Sequence, residues 1–309
     1  MLGAAAAAGV ETLTPASPAA ADLITPGLLA PDVLFGAWVP GGQGAVRALQ
    51  RRLGRKLDIV HWYQSWSPPT EAGLLDSTRA QQVASSGGIP MITWEPWTAQ
   101  PARIAEGRFD AYLRQNARAL RGVPGMVWLR FGHEMNLKTY PWSVGNAGTT
   151  GRDYVAAWRR IVRIFRDQGA FNVRYVWAPN VLTADSTPLE QVWPGGEYVD
   201  YVGMDGYNWP TSWRPLSEIF GPLYEQLRAM TTLPIVITEV ACAAAGGDKA
   251  AWIERSFGTE LARSFPAVAG VAWFNERKEA DWRLNGNAST LDAARSVFDR
   301  PPYAAVLPL

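Results

Sequence analysis

The sequence predicts an α/β fold, a single (β/α)8 TIM barrel, from two observations. Eight short apolar runs recur between residues 33 and 274, and helical patterns lie between most of them. The eight strand–helix units occupy about 270 residues, which is the size of one barrel of this kind. An open doubly wound sheet is the alternative. It is disfavoured because no run is followed by a glycine-rich phosphate loop, and because eight parallel strands close naturally into a barrel.

The eight runs are rich in Val, Ile, Trp and Tyr, and they are near-continuous in hydrophobicity rather than alternating. This pattern is typical of parallel strands that are covered on both faces. The predicted strands are residues 33–38, 57–63, 89–94, 126–131, 173–178, 199–204, 234–239 and 269–274.

Helical periodicity is clearest in five of the segments between the strands. In residues 152–168, apolar side chains recur at steps of three and four, which indicates an amphipathic helix. Asp248 follows two glycines and is predicted to cap the helix after it. The five predicted helices are residues 44–54, 108–121, 152–168, 216–230 and 248–265.

Composition excludes several classes of protein. The chain has 29 basic and 28 acidic residues and a net charge of +1, so it has no nucleic-acid-binding footprint. Its only His and Cys residues, His61, His133 and Cys242, are too few for a Cys/His zinc cluster. We therefore expect no metal site, and we interpret Cys242 as a small buried residue.

No run approaches the roughly 18 apolar residues of a membrane span. Nothing in the sequence indicates an oligomer, so we expect a monomer.

The first 31 residues differ from the remainder. They are rich in Ala and Pro, and they lack the basic n-region of a secretory signal. They could be the remnant of a processed leader, a linker from a preceding domain or residues added for expression. We therefore expect residues 1–31 to lie outside the fold and residues 32–309 to form one catalytic domain.

Polar and aromatic side chains gather where the predicted strands end. In a TIM barrel the active site is built from the C-terminal ends of the strands and the loops that follow them. Sugar binding needs flat apolar platforms and oriented polar groups, so a gathering of both kinds predicts a carbohydrate cleft. The strand-end residues are Trp38, His61, Trp62, Tyr63, Trp66, Trp94, Glu95, Trp97, Arg130, His133, Glu134, Asn136, Trp177, Asn180, Asp205, Tyr207, Asn208, Trp209, Glu239, Trp273, Asn275 and Glu276.

The stretch LRFGHEMN, residues 129–136, places four polar side chains directly after a buried strand. A zinc-binding HExxH helix would need a second His four residues after His133, and that position is Leu137. The alternative is a catalytic carboxylate, Glu134, at the rim of the barrel.

A second carboxylate, Glu239, ends the seventh strand. Strands 4 and 7 lie on opposing parts of the barrel rim, so Glu134 and Glu239 can face each other across a bound sugar. Glycoside hydrolysis needs such a pair, and a separation of about 5–5.5 Å would make the reaction retaining. Glu239 leaves a rigid strand, which suits a nucleophile, and Glu134 lies in a Trp-rich setting, which suits an acid/base of raised pKa.

Several motifs together resemble glycoside hydrolase family 26 over about residues 33 to 300. They are HEMN at 133–136 with YPW at 140–142, ITWEPW at 92–97, WAPN at 177–180, MDGYNW at 204–209, ITE at 237–239 and GGDKAAWI at 246–253. The resemblance implies a retaining (β/α)8 hydrolase with a catalytic Glu on strands 4 and 7. Members act on β-1,4-mannans, mixed-linkage β-1,3-1,4-glucans or β-1,3-xylans, generally as endo-acting enzymes without a cofactor.

By this resemblance Glu134 would be the acid/base and Glu239 the nucleophile. His133 would contact the sugar, Tyr207 would hydrogen-bond the nucleophile, and Trp273 would form the platform at the cleavage site. We expect a secreted or periplasmic endo-β-glycanase acting on a mixed-linkage glucan or a mannan. The side chains expected to bind substrate are His133, Tyr207, Trp273, Arg130, Trp142, Trp94, Asn180, Trp209 and His61.

One departure from the family pattern bears on the substrate. Members often continue HEMN with Gly, one residue and an aromatic, whereas Leu137 and Thr139 occupy those positions here. An aromatic there usually helps to hold the leaving-group side of the substrate. Its replacement leaves the catalytic assignment intact and weakens the case for mannan.

Two other functions remain open at this point. The first is a non-catalytic carbohydrate-binding barrel associated with polysaccharide production, which would need neither Glu134 nor Glu239. The second is an inverting hydrolase or a transglycosylase on the same scaffold. A separation of about 6.5–9.5 Å between the two carboxylates would favour an inverting enzyme.

Overall fold

The computed structural model describes residues 33–66 and 74–303. Eight parallel strands close into a barrel in the order of the chain, β1 to β8, with β1 paired to both β2 and β8. The predicted single TIM barrel is therefore confirmed. Residues 1–31, expected to lie outside the fold, are outside the described residues.

The eight strands lie at the eight predicted runs and differ from them only at their ends. They are β1 Leu34–Trp38, β2 Ile59–Ser65, β3 Ile89–Glu95, β4 Val127–Phe131, β5 Val173–Trp177, β6 Tyr201–Asn208, β7 Ile235–Cys242 and β8 Val268–Phe274. The strands β6 and β7 continue beyond their predicted ends, so that Tyr207, which was predicted to follow β6, lies within the sheet.

The helices are α1 Gly42–Leu53, α2 Ser77–Ser85, α3 Pro101–Ala105, α4 Asp110–Arg121, α5 Gly151–Asp167, α6 Leu216–Met230, α7 Lys249–Arg255, α8 Leu261–Ser264 and α9 Ala288–Phe298. Asp248 caps α7 as predicted, because its carboxylate accepts a hydrogen bond of 3.0 Å from the amide of Ala251. The helix predicted over 248–265 is interrupted by a π-helical turn at Ser256–Glu260. Residues 178–200, between β5 and β6, form two short 3-10 turns in place of a helix.

Side chains of the strands alternate between the barrel interior and the layer beneath the helices. One interior layer is apolar and consists of Ile59, Met91, Trp128, Val176, Val236 and Ala272. Two residues further along β2, β3 and β4, the interior side chains are His61, Thr93 and Arg130, which hydrogen-bond to one another. The interior thus changes from apolar to polar towards the C-terminal end of the strands.

The same alternation directs the neighbouring tryptophans outwards. Trp62, Trp94, Trp177 and Trp273 are each one residue away from an interior position, and each is at most 2% exposed. They belong to the large core cluster between barrel and helices. No helix of the described residues has the length and apolar character needed to cross a membrane.

Candidate active site

A cavity of about 690 Å³ opens at the C-terminal end of the strands, where the sequence predicted the site. It is lined by six of the residues that were predicted to act on or bind substrate: His133, Glu134, Asn180, Tyr207, Trp209 and Glu239. Leu137 and Thr139, the positions that depart from the family pattern, also line it.

The chain leaves β4 in a tight path that turns Glu134 into this cavity. The amide of Glu134 donates to the carbonyl of Ala178 at 2.8 Å instead of continuing a strand ladder. Its φ is +52°, in the left-handed region that costs a non-glycine residue about 1–3 kcal/mol. Asn136, fully buried, bonds the loop after β5 through the amide and carbonyl of Asn180, at 2.9 and 2.8 Å. The Nδ2 of Asn180 in turn donates to Glu134 Oε1 at 2.7 Å.

A β-bulge places Glu239 in the cavity on the opposite side of the barrel. The register between β6 and β7 shifts so that Met204 pairs with Ile237 and Asp205 pairs with Glu239. Two adjacent side chains, Thr238 and Glu239, therefore both reach interior groups, which strict alternation would forbid. Thr238 Oγ1 donates to Asp205 at 2.6 Å, and Glu239 accepts hydrogen bonds from Arg130 and from the Tyr207 hydroxyl.

Arg130 lies beneath the cavity and holds the Glu239 side of the site. Its guanidinium is fully buried and donates to Glu239, to Asp205 at 2.6 Å and to Thr93 Oγ1 at 2.7 Å. His61 Nε2 lies 2.7 Å from the same Thr93 oxygen. Arg130 and His61 were expected to bind substrate. They do not line the cavity, because both are covered by the layer of side chains above them.

The two glutamates have opposite surroundings. Burial raises the pKa of Glu134, and the charge of Glu239 raises it further, to about 7. For Glu239, burial also acts to raise the pKa, but the positive charge of Arg130 and the Tyr207 hydrogen bond outweigh it, so the net pKa is lowered. Near neutral pH the site therefore holds one ionised carboxylate beside a carboxyl group that is poised to carry a proton.

We expect the substitution Glu134→Gln to stabilise the fold more at alkaline than at acidic pH. The pKa of this carboxyl rises from 4.5 to about 7 on folding. The native state therefore binds the proton more tightly, and the stability of the wild type falls as pH rises through this window. Glutamine carries no charge, so the free energy of unfolding of the variant should exceed that of the wild type by about 3 kcal/mol at pH 8.

Urea unfolding at pH 5 and pH 8 measures this difference. At pH 5 the wild-type carboxyl is still protonated, and the gain should be much smaller. The exposed Glu225 on α6, changed to Gln, is the matched control and should show no dependence of this kind. Equal gains at both pH values would contradict the raised pKa of Glu134.

Three tryptophans predicted to bind substrate lie elsewhere. Trp94, Trp142 and Trp273 are fully buried and do not line the cavity. Trp94 and Trp273 face outwards because of their position in the strand alternation. Trp142 lies behind the site, where its indole donates to the carbonyl of His133 at 2.7 Å and so fixes the backbone beside Glu134.

Other aromatic residues form the walls instead. Tyr63 and Phe274 occupy interior positions on β2 and β8, and Trp97 and Trp209 stand at the rim with 45% and 40% of their surface exposed. Five further strand-end residues named in the sequence analysis line the cavity: Trp38, Tyr63, Glu95, Trp97 and Glu276. The lining residues that the sequence analysis did not name are Tyr140, Val181, Leu182, Thr183, Arg214, Phe274, Lys278, Glu279 and Trp282. Of these, Phe274 could have been found from the two-residue period of the strands.

Trp282 lies in the loop after β8, where no strand or helix periodicity in the sequence indicates which side chains point towards the cavity. Its ring packs against Tyr207 and Trp209, with ring centroids 5.3 and 4.9 Å apart. Within residues 33–66 and 74–303, no group of three or more His, Cys, Asp or Glu residues is arranged to hold a metal ion.

Carboxyl groups paired across a sugar-sized cleft at this end of a barrel define one class of enzyme, the glycoside hydrolases. Comparison with known sequences gives the family. The profile of glycosyl hydrolase family 26 matches residues 80–276, which include both glutamates. The chain belongs to this family, and the resemblance expected from its motifs is confirmed.

Individual relatives agree with this assignment. Endoglucanase H of Acetivibrio thermocellus is 38% identical over 275 residues, which cover 85% of this chain and 30% of that protein. The chain therefore spans less than a third of the length of this relative. Among solved structures, the Bacillus subtilis mannanase BCman has a TM-score of 0.65 at 19% identity, over 87% of this chain and 85% of that chain. A modular endo-β-1,4-mannanase from Cellulomonas fimi has a TM-score of 0.66 at 15% identity, over 87% and 71% of the two chains. These structures share the fold.

Proposed function

We propose that the protein is a retaining endo-β-glycanase in which Glu239 is the nucleophile and Glu134 is the acid/base. The observation that carries this proposal is the contrast between the two buried glutamates of one cavity. Glu239 is held ionised by Arg130 and Tyr207, whereas the hydrogen-bond partners of Glu134 are uncharged, the amide of Asn180 and the hydroxyl of Tyr140, and its burial favours the proton. A pair whose pKa values are pushed apart in this way is suited to nucleophilic attack and proton donation in one step.

In the first step Glu239 attacks the anomeric carbon and forms a glycosyl–enzyme ester. The bond from this carbon to the glycosidic oxygen breaks, and Glu134 gives its proton to the departing oxygen. In the second step the ionised Glu134 takes a proton from water, the water oxygen attacks the anomeric carbon, and the carboxylate of Glu239 leaves. Two inversions at the same carbon give net retention.

The cavity walls suit a polymer that passes across the mouth of the barrel. The exposed indoles of Trp97 and Trp209 follow β3 and β6, on different sides of the barrel, and offer flat surfaces for sugar rings. Between them, His133, Asn180 and Tyr207 supply polar groups around the two glutamates. A cleft with platforms on both sides supports binding of internal units of the chain, and hence endo action.

The substrate that we propose is a β-glucan of the mixed-linkage β-1,3-1,4 type, with β-1,4-mannan as the alternative. The relative at 38% identity is named an endoglucanase, whereas the two structures named mannanases above are 19% and 15% identical. Thr139 lines the cavity where the family pattern places an aromatic for the leaving-group side, and Leu137 lines it in place of the Gly of that pattern. We further propose that the enzyme acts as a secreted or periplasmic monomer, since its substrate is a large extracellular polymer.

The test is hydrolysis of four polymers: barley mixed-linkage glucan, glucomannan, galactomannan and β-1,3-xylan. We expect release of reducing ends from the barley glucan, with viscosity falling well ahead of reducing-end formation because internal bonds are cut. Release from galactomannan alone would replace glucan with mannan as the substrate. No release from any of the four by folded protein would contradict the proposed activity.

A further inference from the structure

The segment 246–252, part of the motif GGDKAAWI, lies outside the cavity, yet it contacts two loops that form cavity walls. One is the β6 loop, residues 209–215, which carries the lining residues Trp209 and Arg214. The other is the β8 loop, residues 275–287, which carries Glu276, Lys278, Glu279 and Trp282. Neither glutamate depends on this segment directly.

Lys249 holds the β8 loop through its backbone. The side chain is buried, and its ammonium group donates to the carbonyls of Asp281 and Arg283 at 3.1 and 3.0 Å. The carbonyl of Trp282, between them, accepts a hydrogen bond of 2.8 Å from the indole of Trp273. Three consecutive carbonyls are thus bound by two buried donors, and this fixes the direction in which the Trp282 ring leaves the backbone.

The β6 loop is held at the other end of the same segment. The indole of Trp252 donates to the carbonyl of Arg214 at 2.8 Å. Gly246 and Gly247 pack directly on the ring of Trp213, and a Cβ on Gly247 would lie 2.5 Å from that ring. The loop therefore rests on backbone that only glycine can provide.

The ring contacts connect these anchors to the reacting groups. Trp282 packs against Tyr207 and Trp209 from behind and is itself only 1% exposed. Tyr207 donates to Glu239. A β8 loop that moved away would leave the wall formed by Tyr207 and Trp209 without support.

We propose that Lys249 and Trp252 are positioning residues that clamp the β6 and β8 loops together and so shape the substrate-binding wall of the cleft. The clamp acts on substrate binding more than on the chemical step, because Arg130 still holds Glu239 when the loops loosen. This role rests on the proposed function, and it assigns a task to a motif that the catalytic pair leaves unexplained.

The charge of Lys249 is compatible with this role. Burial lowers its pKa to about 8, so the group is mainly protonated at neutral pH and has all three N–H donors. The ionisable groups that face it are the Cys242 thiol, whose pKa burial raises to about 12, and the side chains of Asp281 and Arg283, which pair with each other at 2.7 Å. The cation is therefore stabilised by the two carbonyls that it binds and by the Trp273 ring, whose centroid lies 5.6 Å from the ammonium group.

Two variants test the clamp. Lys249→Met keeps the shape of the side chain and removes the donors, and Trp252→Phe keeps a ring and removes one donor. We expect amide hydrogen exchange in residues 275–287 to become about tenfold faster in Lys249→Met. We expect KM for the polymer to rise about fivefold in this variant while kcat changes by less than about twofold. Trp252→Phe should have the same kinds of effect on residues 209–215 and on KM. Lys249→Arg, which retains donors and charge, should restore part of the lost affinity.

The exposed Lys56, changed to Met, is the matched control and should alter neither measurement. Hydrogen exchange requires no substrate, so it tests the clamp even if the wild type cleaves none of the polymers, a result that would contradict only the proposed function. Unchanged exchange in both loops, or equal proportional losses of kcat and kcat/KM, would overturn the clamp. If Lys249→Met does not fold, Trp252→Phe decides by the same two criteria.

Discussion

Replacing Glu239 with alanine is expected to lower kcat on the polymer by at least about 10⁴-fold, because the variant has no nucleophile to form the glycosyl–enzyme ester. Binding should change much less, since the aromatic walls and His133 remain. Reducing-end release under saturating substrate measures the loss. The exposed Glu225, changed to alanine, serves as the control for removal of a carboxylate and should keep full activity.

An external nucleophile gives a sharper result for the same variant. Azide can enter the space left by the Glu239 side chain and attack the anomeric carbon of an aryl β-glycoside whose phenol leaves readily. The expected product is an α-glycosyl azide, because attack from this side inverts the carbon once. A β-glycosyl azide, or residual activity within tenfold of the wild type, would contradict the assignment of Glu239 as nucleophile.

Replacing Glu134 with alanine is expected to slow hydrolysis of the polymer by about 10²–10⁴-fold, the usual contribution of a general acid. An aryl glycoside with a good leaving group needs no proton donor, so formation of its glycosyl–enzyme ester should be nearly unaffected. The second step would then become slow, and azide should accelerate it and give a β-glycosyl azide. The two variants are therefore distinguished by the anomer that azide traps. Equal slowing of both substrates in Glu134→Ala would contradict the acid/base role.

The pH profile gives an independent check of the same residue. Glu134 must be protonated in the first step, so kcat/KM of the wild type should fall as pH rises through about 7. The acidic limb should reflect protonation of Glu239, whose pKa lies below its ordinary value because Arg130 and Tyr207 outweigh its burial. With an aryl glycoside of low leaving-group pKa, Glu134→Ala should lack the alkaline limb.

The barrel could be predicted because continuous apolar runs are a direct consequence of covering parallel strands on both faces. Because the runs are continuously apolar, the sequence does not show whether a given side chain faces the barrel interior or the helices. In the sequence, Trp94 and Trp273 are aromatic residues at strand ends. Each is adjacent to a residue whose side chain points inwards, Thr93 and Phe274 respectively, so each points outwards. Because both sides of these strands carry apolar residues, no difference in hydrophobicity along the sequence shows which residues point inwards.

The presence of Glu134 and Glu239 in one cavity could be predicted because both interrupt apolar runs at strand ends. The local structure that supports these two residues could not be predicted. The bulge that turns both Thr238 and Glu239 inwards has no glycine or proline to mark it, and the left-handed backbone of Glu134 depends on its bond to Ala178, a contact between distant parts of the chain. Trp282 lies in the β8 loop, and Lys249, the first residue of α7, is connected to the site only through that loop, whose course is set by tertiary contacts.

The central claim is that Glu134 and Glu239 act as a retaining pair, and the stereochemistry of cleavage tests it most directly. Proton NMR of the anomeric region, recorded in the first minutes of hydrolysis, identifies the anomer that the enzyme releases before mutarotation. A retaining pair predicts that the new reducing end appears first as the β anomer and that the α signal grows only later. Initial release of the α anomer would show a single inversion, and Glu239 would then have to act as a base on water rather than as a nucleophile.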